Sequence, residues 1–240
     1  MGLIDIHSHI LPDLDNHKSI DEVIKLCMIY KQNGYSDVFG TCHYNEKFFD
    51  IRPQIIKNKC DEINDILSKE KIDLKIHPAS EIYFTKKTYS SLKKNRASRL
   101  SNSHYALIEF DVLKMDKFYE KHLLKIIKMG IRPIIAHVER YFYVQEDPQI
   151  IKKLREMGCL IQINFYNVDF NEYKENETAM CLLKKHLVDF VATDCHSLDD
   201  RSPNISNNLM ILRQIVDKEY ADKILIENPK KVLEDQCIDS

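Results

Sequence analysis

Eight residues of this chain have the types and spacing to share one piece of chemistry. His7 and His9 form a His-x-His pair, His43 follows Thr41-Cys42, and Glu81 follows Ala79-Ser80. Glu109 ends a Tyr-Ala-Leu-Ile-Glu run, His137 follows Ile134-Ile135-Ala136, and Asp194 and His196 flank Cys195. On a strand, residues i and i+2 point the same way, so His-x-His is a good chelate, and carboxylates can bridge two ions. Three acids gathered without cations would repel one another, and burying them would cost several kcal/mol; divalent ions convert that repulsion into coordination. Imidazole mixed with carboxylate, without thiolate, suits Mn, Fe or Zn better than Ca or a cysteine-type structural zinc. Taken alone, a histidine such as His43 reads as an ordinary structural residue. Eight together read as a metal cluster.

For the eight to meet, the fold must gather segments spread over most of the chain. Leu3 to His9 alternates as a strand, with Leu3, Asp5, His7 and His9 expected on one side and Ile4, Ile6 and Ile10 on the other. Ser19-Ile-Asp-Glu22 is a capping box, Val23, Leu26, Cys27 and Tyr30 follow at helical spacing, and Gly34 stands where a helix ends. Further strands are expected at Ser36 to Thr41, Leu74 to Pro78, Tyr105 to Phe110, Arg132 to His137, Leu160 to Asn164 and Asp189 to Thr193. Helices are expected between them at Pro53 to Ser68, Lys86 to Lys94, Lys117 to Met129, Pro148 to Met157 and Asn176 to His186, then at Asn204 to Lys218 and Pro229 to Gln236. Seven βα repeats with no run of consecutive strands imply an α/β fold with a parallel sheet, and seven of them can close into a barrel. Each candidate ligand falls at the C-terminal end of a strand, the face on which such barrels build their sites. Nothing resembling a linker divides the chain, so a single domain over 1–240 is expected.

Composition narrows the function classes. The chain has 240 residues, 44% hydrophobic and 30% charged, and its 35 Lys and Arg are scattered and balanced by 37 Asp and Glu. That distribution lacks the basic footprint of a nucleic-acid binder. No apolar run is long enough to cross a bilayer, and the N-terminus lacks the pattern of a secretory signal, so a cytoplasmic protein is expected rather than an integral membrane one. Seven cysteines without a C-x-x-C pair read as reduced, mostly buried thiols.

The motifs, taken in order, resemble the PHP superfamily, named for polymerase and histidinol phosphatase. They are Asp5-Ile-His7-Ser-His9-Ile-Leu-Pro, Thr41-Cys-His43, Ala79-Ser-Glu81-Ile-Tyr, Tyr105-Ala-Leu-Ile-Glu109-Phe, Ile135-Ala-His137-Val-Glu-Arg140-Tyr and Ala192-Thr-Asp194-Cys-His196-Ser, closing with Glu227-Asn-Pro-Lys. Within it they resemble the bacterial metal-dependent protein-tyrosine phosphatases of capsule and exopolysaccharide operons. That resemblance implies a distorted (β/α)7 TIM-like barrel that holds two or three ions, commonly manganese; the donor chemistry leaves iron or zinc as alternatives. It implies ligation by His7, His9, His43, Glu81, Glu109, His137, Asp194 and His196, with Glu81 as a bridge, and phosphate held by Arg140 with Arg201 similarly placed. It also implies a tyrosine-phosphorylated substrate, such as the tail of a bacterial tyrosine kinase. The family reads Asp-Asp-Gly after the first strand, whereas this chain has Asp15-Asn16-His17. Asn16 therefore offers a neutral amide in place of an acid, and His17 or Asp15 are the candidates to compensate.

Two or three metals beside an arginine suit phosphomonoester hydrolysis: metals polarise the phosphoryl oxygens and supply hydroxide, and arginine grips phosphate through two parallel hydrogen bonds. His196 or Asp194 is the candidate proton donor to the leaving group. Cys195 to Arg201 spells C-x5-R, the spacing of cysteine-dependent phosphatases, but Asp199 and Asp200 would repel phosphate and the match reads as accidental. Lys87, Lys93, Lys94 and Arg96 read as a solvated basic stretch before a docking site. Tyr141, Phe142 and Tyr143 could flank a phenyl ring or pack the barrel. The alternatives are a small-molecule phosphatase of the histidinol-phosphate type and a catalytically weak module that binds phosphoprotein.

Overall fold

The alternation of β-branched runs and capped helical stretches resolves into a parallel barrel. The computed structural model describes residues 2–14 and 18–239. Its strands are β1 (Leu3–Ser8), β2 (Tyr35–Tyr44), β3 (Lys75–Tyr83), β4 (Tyr105–Glu109), β5 (Arg132–Ile135), β6 (Leu160–Asn164) and β7 (Phe190–Ala192). They pair in sequence order, each parallel to the next. The ring is drawn nearly closed between β1 and β7 by two backbone bonds, Asp194 N–H to the His7 carbonyl at 2.8 Å and His9 N–H to the Cys195 carbonyl at 2.9 Å. The residues that close the barrel are thus the residues expected to do the chemistry.

Helices α1 (Ile20–Gln32), α2 (Pro53–Lys69), α3 (Thr88–Lys93), α4 (Tyr119–Ile127), α5 (Phe142–Glu146), α6 (Gln149–Glu156) and α7 (Lys174–Lys184) lie in the connections, and α8 (Ser206–Ile215), α9 (Lys218–Asp222) and α10 (Asn228–Leu233) follow β7. The capping chemistry acts as read: Ser19 Oγ accepts from the Glu22 N–H at 3.2 Å, and Gly34 past α1 takes a φ of 86°, open to glycine at little steric cost. One apolar layer lies inside the barrel, where Ile4, Ile6, Phe39, Leu107, Ile134 and Phe190 meet. A larger one packs the outside of the strands against the helices, with Val23, Leu26, Ile56, Ile63, Leu123, Leu154 and Leu183.

Five segments depart from expectation. β2 and β3 run on past Thr41 and Pro78, because His43 and Glu81 are Cα partners in a continuous ladder rather than loop residues. β5 stops at Ile135, since His137 turns into the left-handed region and a single 3-10 turn (Val138–Arg140) follows. The helix expected over 204–218 is α8, and it gives way to α9, whose cap Asp217 accepts from the Tyr220 N–H at 2.8 Å. The simple alternation of β1 also fails. Three residue steps from Asp5 to Ser8 face only two from Val38 to Gly40, a β-bulge that swaps the strand's faces.

The bulge has a chemical result. Asp5 and Ser8 both meet Tyr30 of α1, whose hydroxyl lies 2.8 Å from each, while His7 is released toward the other ligands. Asp5 is fully buried and its carboxyl is pushed up by burial, against hydrogen bonds from Thr193 and Tyr30 that favour the ion. These bonds tie β1 to α1 and to the residue after β7. Tyr30→Phe removes one donor from a buried acid, and a loss of about 1–3 kcal/mol in unfolding free energy is expected, read from urea denaturation. An unchanged midpoint would show that Thr193 and the His7 backbone N–H satisfy Asp5 without it.

Candidate metal centre

All eight predicted ligands inside the described residues converge on one mouth. The carboxylate of Glu81, at the end of β3 and 1% exposed, lies at its middle. Its Oε1 is 2.7 Å from His137 Nε2 and 3.5 Å from His7 Nε2, and its Oε2 is 2.9 Å from His43 Nδ1 and 3.2 Å from His9 Nε2. Asp194 Oδ1 stands 3.4 Å from both His7 Nε2 and His9 Nε2. The His196 ring lies 4.3 Å from that of His9 between centroids, and Glu109 Oε1 is 3.7 Å from His137 Nε2. Among the described residues these groups form four overlapping triads, each with ligand atoms within 4.8 Å of one another: His9, His43, His196; His7, His9, Asp194; His7, Glu81, His137; and His43, Glu81, Glu109. Asp15, Asn16 and His17 lie outside the described residues.

Two of the eight hold backbone conformations that L-residues take reluctantly. His137 has a φ of 32° and Asp194 of 51°, each just past the end of its strand. Non-glycine residues there cost on the order of 1–3 kcal/mol and persist only when the surroundings over-determine them. The same crowding shifts the ionisable groups. Burial opposes ionisation of Glu81, but His7, His137 and His43 outweigh it and hold the carboxyl well below the usual range. Asp194 is likewise held low against burial by His7 and His9. Glu109 is pushed up to about 7 by partial burial and by the Glu81 charge, and His196 is pushed down to about 3 by burial and by His9. The centre is therefore a mutually compensating set of acids and imidazoles, and no lysine or arginine forms an ion pair with Glu81 among the described residues.

Divalent cations fit this donor set. Both Glu81 oxygens face two imidazole nitrogens each, the arrangement a bridging carboxylate requires, and carboxylate with imidazole is borderline-hard chemistry suited to first-row metals.

Two arginines complete the rim. Arg140 Nη1 comes within 3.6 Å of Asp194 Oδ2, and Arg201 Nη1 touches the same oxygen. They arrive from different loops, after β5 and after β7, so two guanidinium groups bracket one acidic point. Cys195, by contrast, is fully buried, and burial raises its thiol far above the ordinary range. Among the basic stretch, Lys87 and Arg96 pair with Glu46 at 3.2 and 3.8 Å, consistent with a partly neutralised surface. Tyr141 is barrel packing: its buried hydroxyl donates to the Ala136 carbonyl at 2.7 Å and accepts from the Phe110 N–H at 3.0 Å. Phe142 is half exposed.

Sequence reading passed over two buried polar residues that touch the ligands, Gln162 and Asn164. Asn164 Nδ2 donates to Asp194 Oδ2 at 2.9 Å, and Gln162 Oε1 lies 3.1 Å from His7 Nδ1. The available signal was Gln and Asn at alternate positions of an otherwise apolar buried strand.

A family model described as capsular polysaccharide synthesis, CpsB/CapC, matches residues 3–234. The chain belongs to the CpsB/CapC family. Two of its relatives are the tyrosine-protein phosphatase CpsB of Streptococcus pneumoniae, 33% identical over 98% of this chain and 100% of that protein, and YwqE of Bacillus subtilis, also a tyrosine-protein phosphatase, 28% identical over 98% and 93%. A solved structure from work on YwqE and CpsB as metal-dependent tyrosine phosphatases superposes with a TM-score of 0.91 at 28% identity, covering 98% of this chain and 96% of that one. A histidinol phosphate phosphatase of Lactococcus lactis shares the fold at a TM-score of 0.57 and 15% identity. The CpsB/CapC barrel thus shares its fold with a histidinol phosphate phosphatase. No helix of the described residues is long and apolar enough to cross a membrane.

Proposed function

We propose that this chain is a metal-dependent protein-tyrosine phosphatase that releases phosphate from a tyrosine-phosphorylated protein, the tail of a bacterial tyrosine kinase of capsule or exopolysaccharide synthesis, in the cytoplasm. One observation carries the reading: two arginines meet one carboxylate oxygen at the edge of an eight-donor centre, in a family whose relatives are tyrosine phosphatases. His7, His9, His43, Glu81, Glu109, His137, Asp194 and His196 would hold two or three divalent ions, manganese first. Bound divalent cations would supply Lewis acidity at the phosphoryl oxygens and acidify water.

The chain's own residues then do the rest. A phosphate dianion competes with Asp194 for Arg140 and Arg201, and arginine, unlike lysine, offers two parallel donors to it. Phe142, half exposed and two residues beyond Arg140 in the chain, is a candidate to flank the phenyl ring attached to that phosphate. Asp194, held ionised, and His196, held unprotonated, fit ligation better than donation of a proton. Comparing turnover of a phosphotyrosine peptide with that of histidinol phosphate tests the reading. Faster hydrolysis of histidinol phosphate would favour a small-molecule phosphatase, and tight peptide binding with no phosphate release in manganese buffer would favour a binding module.

Two further outcomes belong here. Cys195→Ser is expected to keep activity within roughly threefold, under about 1 kcal/mol of barrier, because a buried, protonated thiol is no nucleophile. A folded, metal-loaded but inactive Ser variant would revive the cysteine route. Asn16→Asp is expected to tighten the weakest ion on the order of tenfold, since a full charge replaces an amide dipole. Elemental analysis at limiting manganese reads this, and three equally tight ions in both proteins would show that Asn16 has no consequence.

A further inference from the structure

β6 is the one strand of the seven that ends in no candidate ligand, yet its two polar side chains touch ligands from three other strand ends. Gln162 is fully buried and Asn164 is 1% exposed. Gln162 Oε1 accepts the His137 backbone N–H at 2.9 Å and lies 3.1 Å from His7 Nδ1. Gln162 Nε2 donates to Asn164 Oδ1 at 2.9 Å, and Asn164 Nδ2 donates to Asp194 Oδ2 at 2.9 Å. Asn164 is itself pinned by its own N–H, which donates to Glu139 Oε1 at 2.9 Å.

The polarity of this chain of bonds is fixed at both ends. At one end a backbone N–H can only donate, so the Gln162 atom facing His137 is the oxygen. At the other end the group met is a carboxylate, so Asn164 presents its amide nitrogen, and its oxygen faces the Gln162 nitrogen. The atom 3.1 Å from His7 Nδ1 is therefore an acceptor, and His7 must carry a proton on Nδ1 to meet it. That leaves Nε2 as the nitrogen whose lone pair is available, and Nε2 is the atom aimed at His9, Glu81 and Asp194, at 3.3, 3.5 and 3.4 Å.

We infer that Gln162 and Asn164 are positioning residues that select the Nδ1–H tautomer of His7 and lock His7, His137 and Asp194 into one geometry for metal. The inference rests on the metal-centre reading above. It accounts for the two left-handed positions: the chain of bonds ends on the backbone of His137 and on the side chain of Asp194, the two strained ligands that flank β6. A ligand histidine whose second nitrogen is held by an acceptor has its tautomer and ring orientation set, and loss of such a partner costs about 10–100-fold in metal affinity.

The test uses the full chain with nitrogen-15-labelled histidine. In the metal-free wild type at alkaline pH, His7 is expected as a single tautomer protonated at Nδ1. Gln162→Leu should show both tautomers and bind manganese roughly 10–100-fold more weakly by titration calorimetry. Gln162→Glu, which keeps an acceptor for His7 and His137 but loses the donor to Asn164, should restore the tautomer and part of the affinity. Wild-type His7 protonated at Nε2, or a Gln162→Leu variant with unchanged tautomer and unchanged affinity, overturns the inference. Should Gln162→Leu fail to fold, Asn164→Ala carries the same test through Asp194, and native manganese affinity there is equally fatal. If the wild type bound no manganese at all, the metal reading would fall, while the tautomer measurement would still report on the bonds themselves.

Discussion

Exhaustive chelation is expected to abolish phosphotyrosine hydrolysis by this protein, added manganese to restore it, and Glu81→Ala to leave a folded chain that manganese cannot rescue. The expected loss is roughly a thousandfold or more, because the effect removed is the several kcal/mol of charge stabilisation that a metal centre supplies, at about 1.4 kcal/mol per decade. Glu81 is the position of greatest effect because each of its two oxygens serves two imidazoles, so one carboxylate joins four histidines. Without it His7 and His9 keep Asp194, but no acid joins them to His43 and His137. Elemental analysis beside the rate assay separates causes: the Ala variant should arrive depleted of metal. Full turnover after chelation, or a Glu81→Ala protein that is metal-loaded and active, would sink the metal centre as the seat of catalysis.

The second large effect belongs to the arginines. Arg140→Ala is expected to lower kcat/KM for a phosphotyrosine peptide roughly a hundredfold, about 2.7 kcal/mol, by removing a charged bidentate donor from the phosphate. Arg140→Lys should recover little of this, since an ammonium cannot form two parallel bonds. Arg201→Ala should act in the same direction. Because both guanidinium groups address one place beside Asp194, the double variant should lose less than the product of the two single losses. Inhibition by inorganic phosphate gives an independent reading of the clamp and should weaken in each variant. Native phosphate affinity in Arg140→Ala would move the clamp elsewhere.

The barrel and most of the centre could be read from sequence because they rest on local rules. Helical spacing, the Ser19 cap and the Gly34 end mark α1 without reference to the rest of the chain, and seven βα repeats admit few arrangements other than a parallel barrel. In such a barrel the strand ends converge, so His7, His9, His43, Glu81, Glu109, His137, Asp194 and His196 were placed together by topology before any distance was measured.

What pairing between strands decides was not legible. The bulge that turns Asp5 toward Tyr30 and His7 toward Glu81 exists only against β2, so alternation along β1 alone misassigned Asp5. The extension of β3 to Glu81 depends on its ladder with His43, and the early end of β5 on the left-handed turn at His137. Gln162 and Asn164 escaped notice for the same reason. A neutral amide on an apolar strand has no chemistry of its own, and it acquires a role only when the strands on either side bring an imidazole, a backbone N–H and a carboxylate within about 3 Å, the reach of a hydrogen bond. The sequence by itself determined which groups would gather; tertiary pairing decided which face each would show and which atom of each would point inward, because register and hydrogen-bond polarity are properties of two strands and not of one.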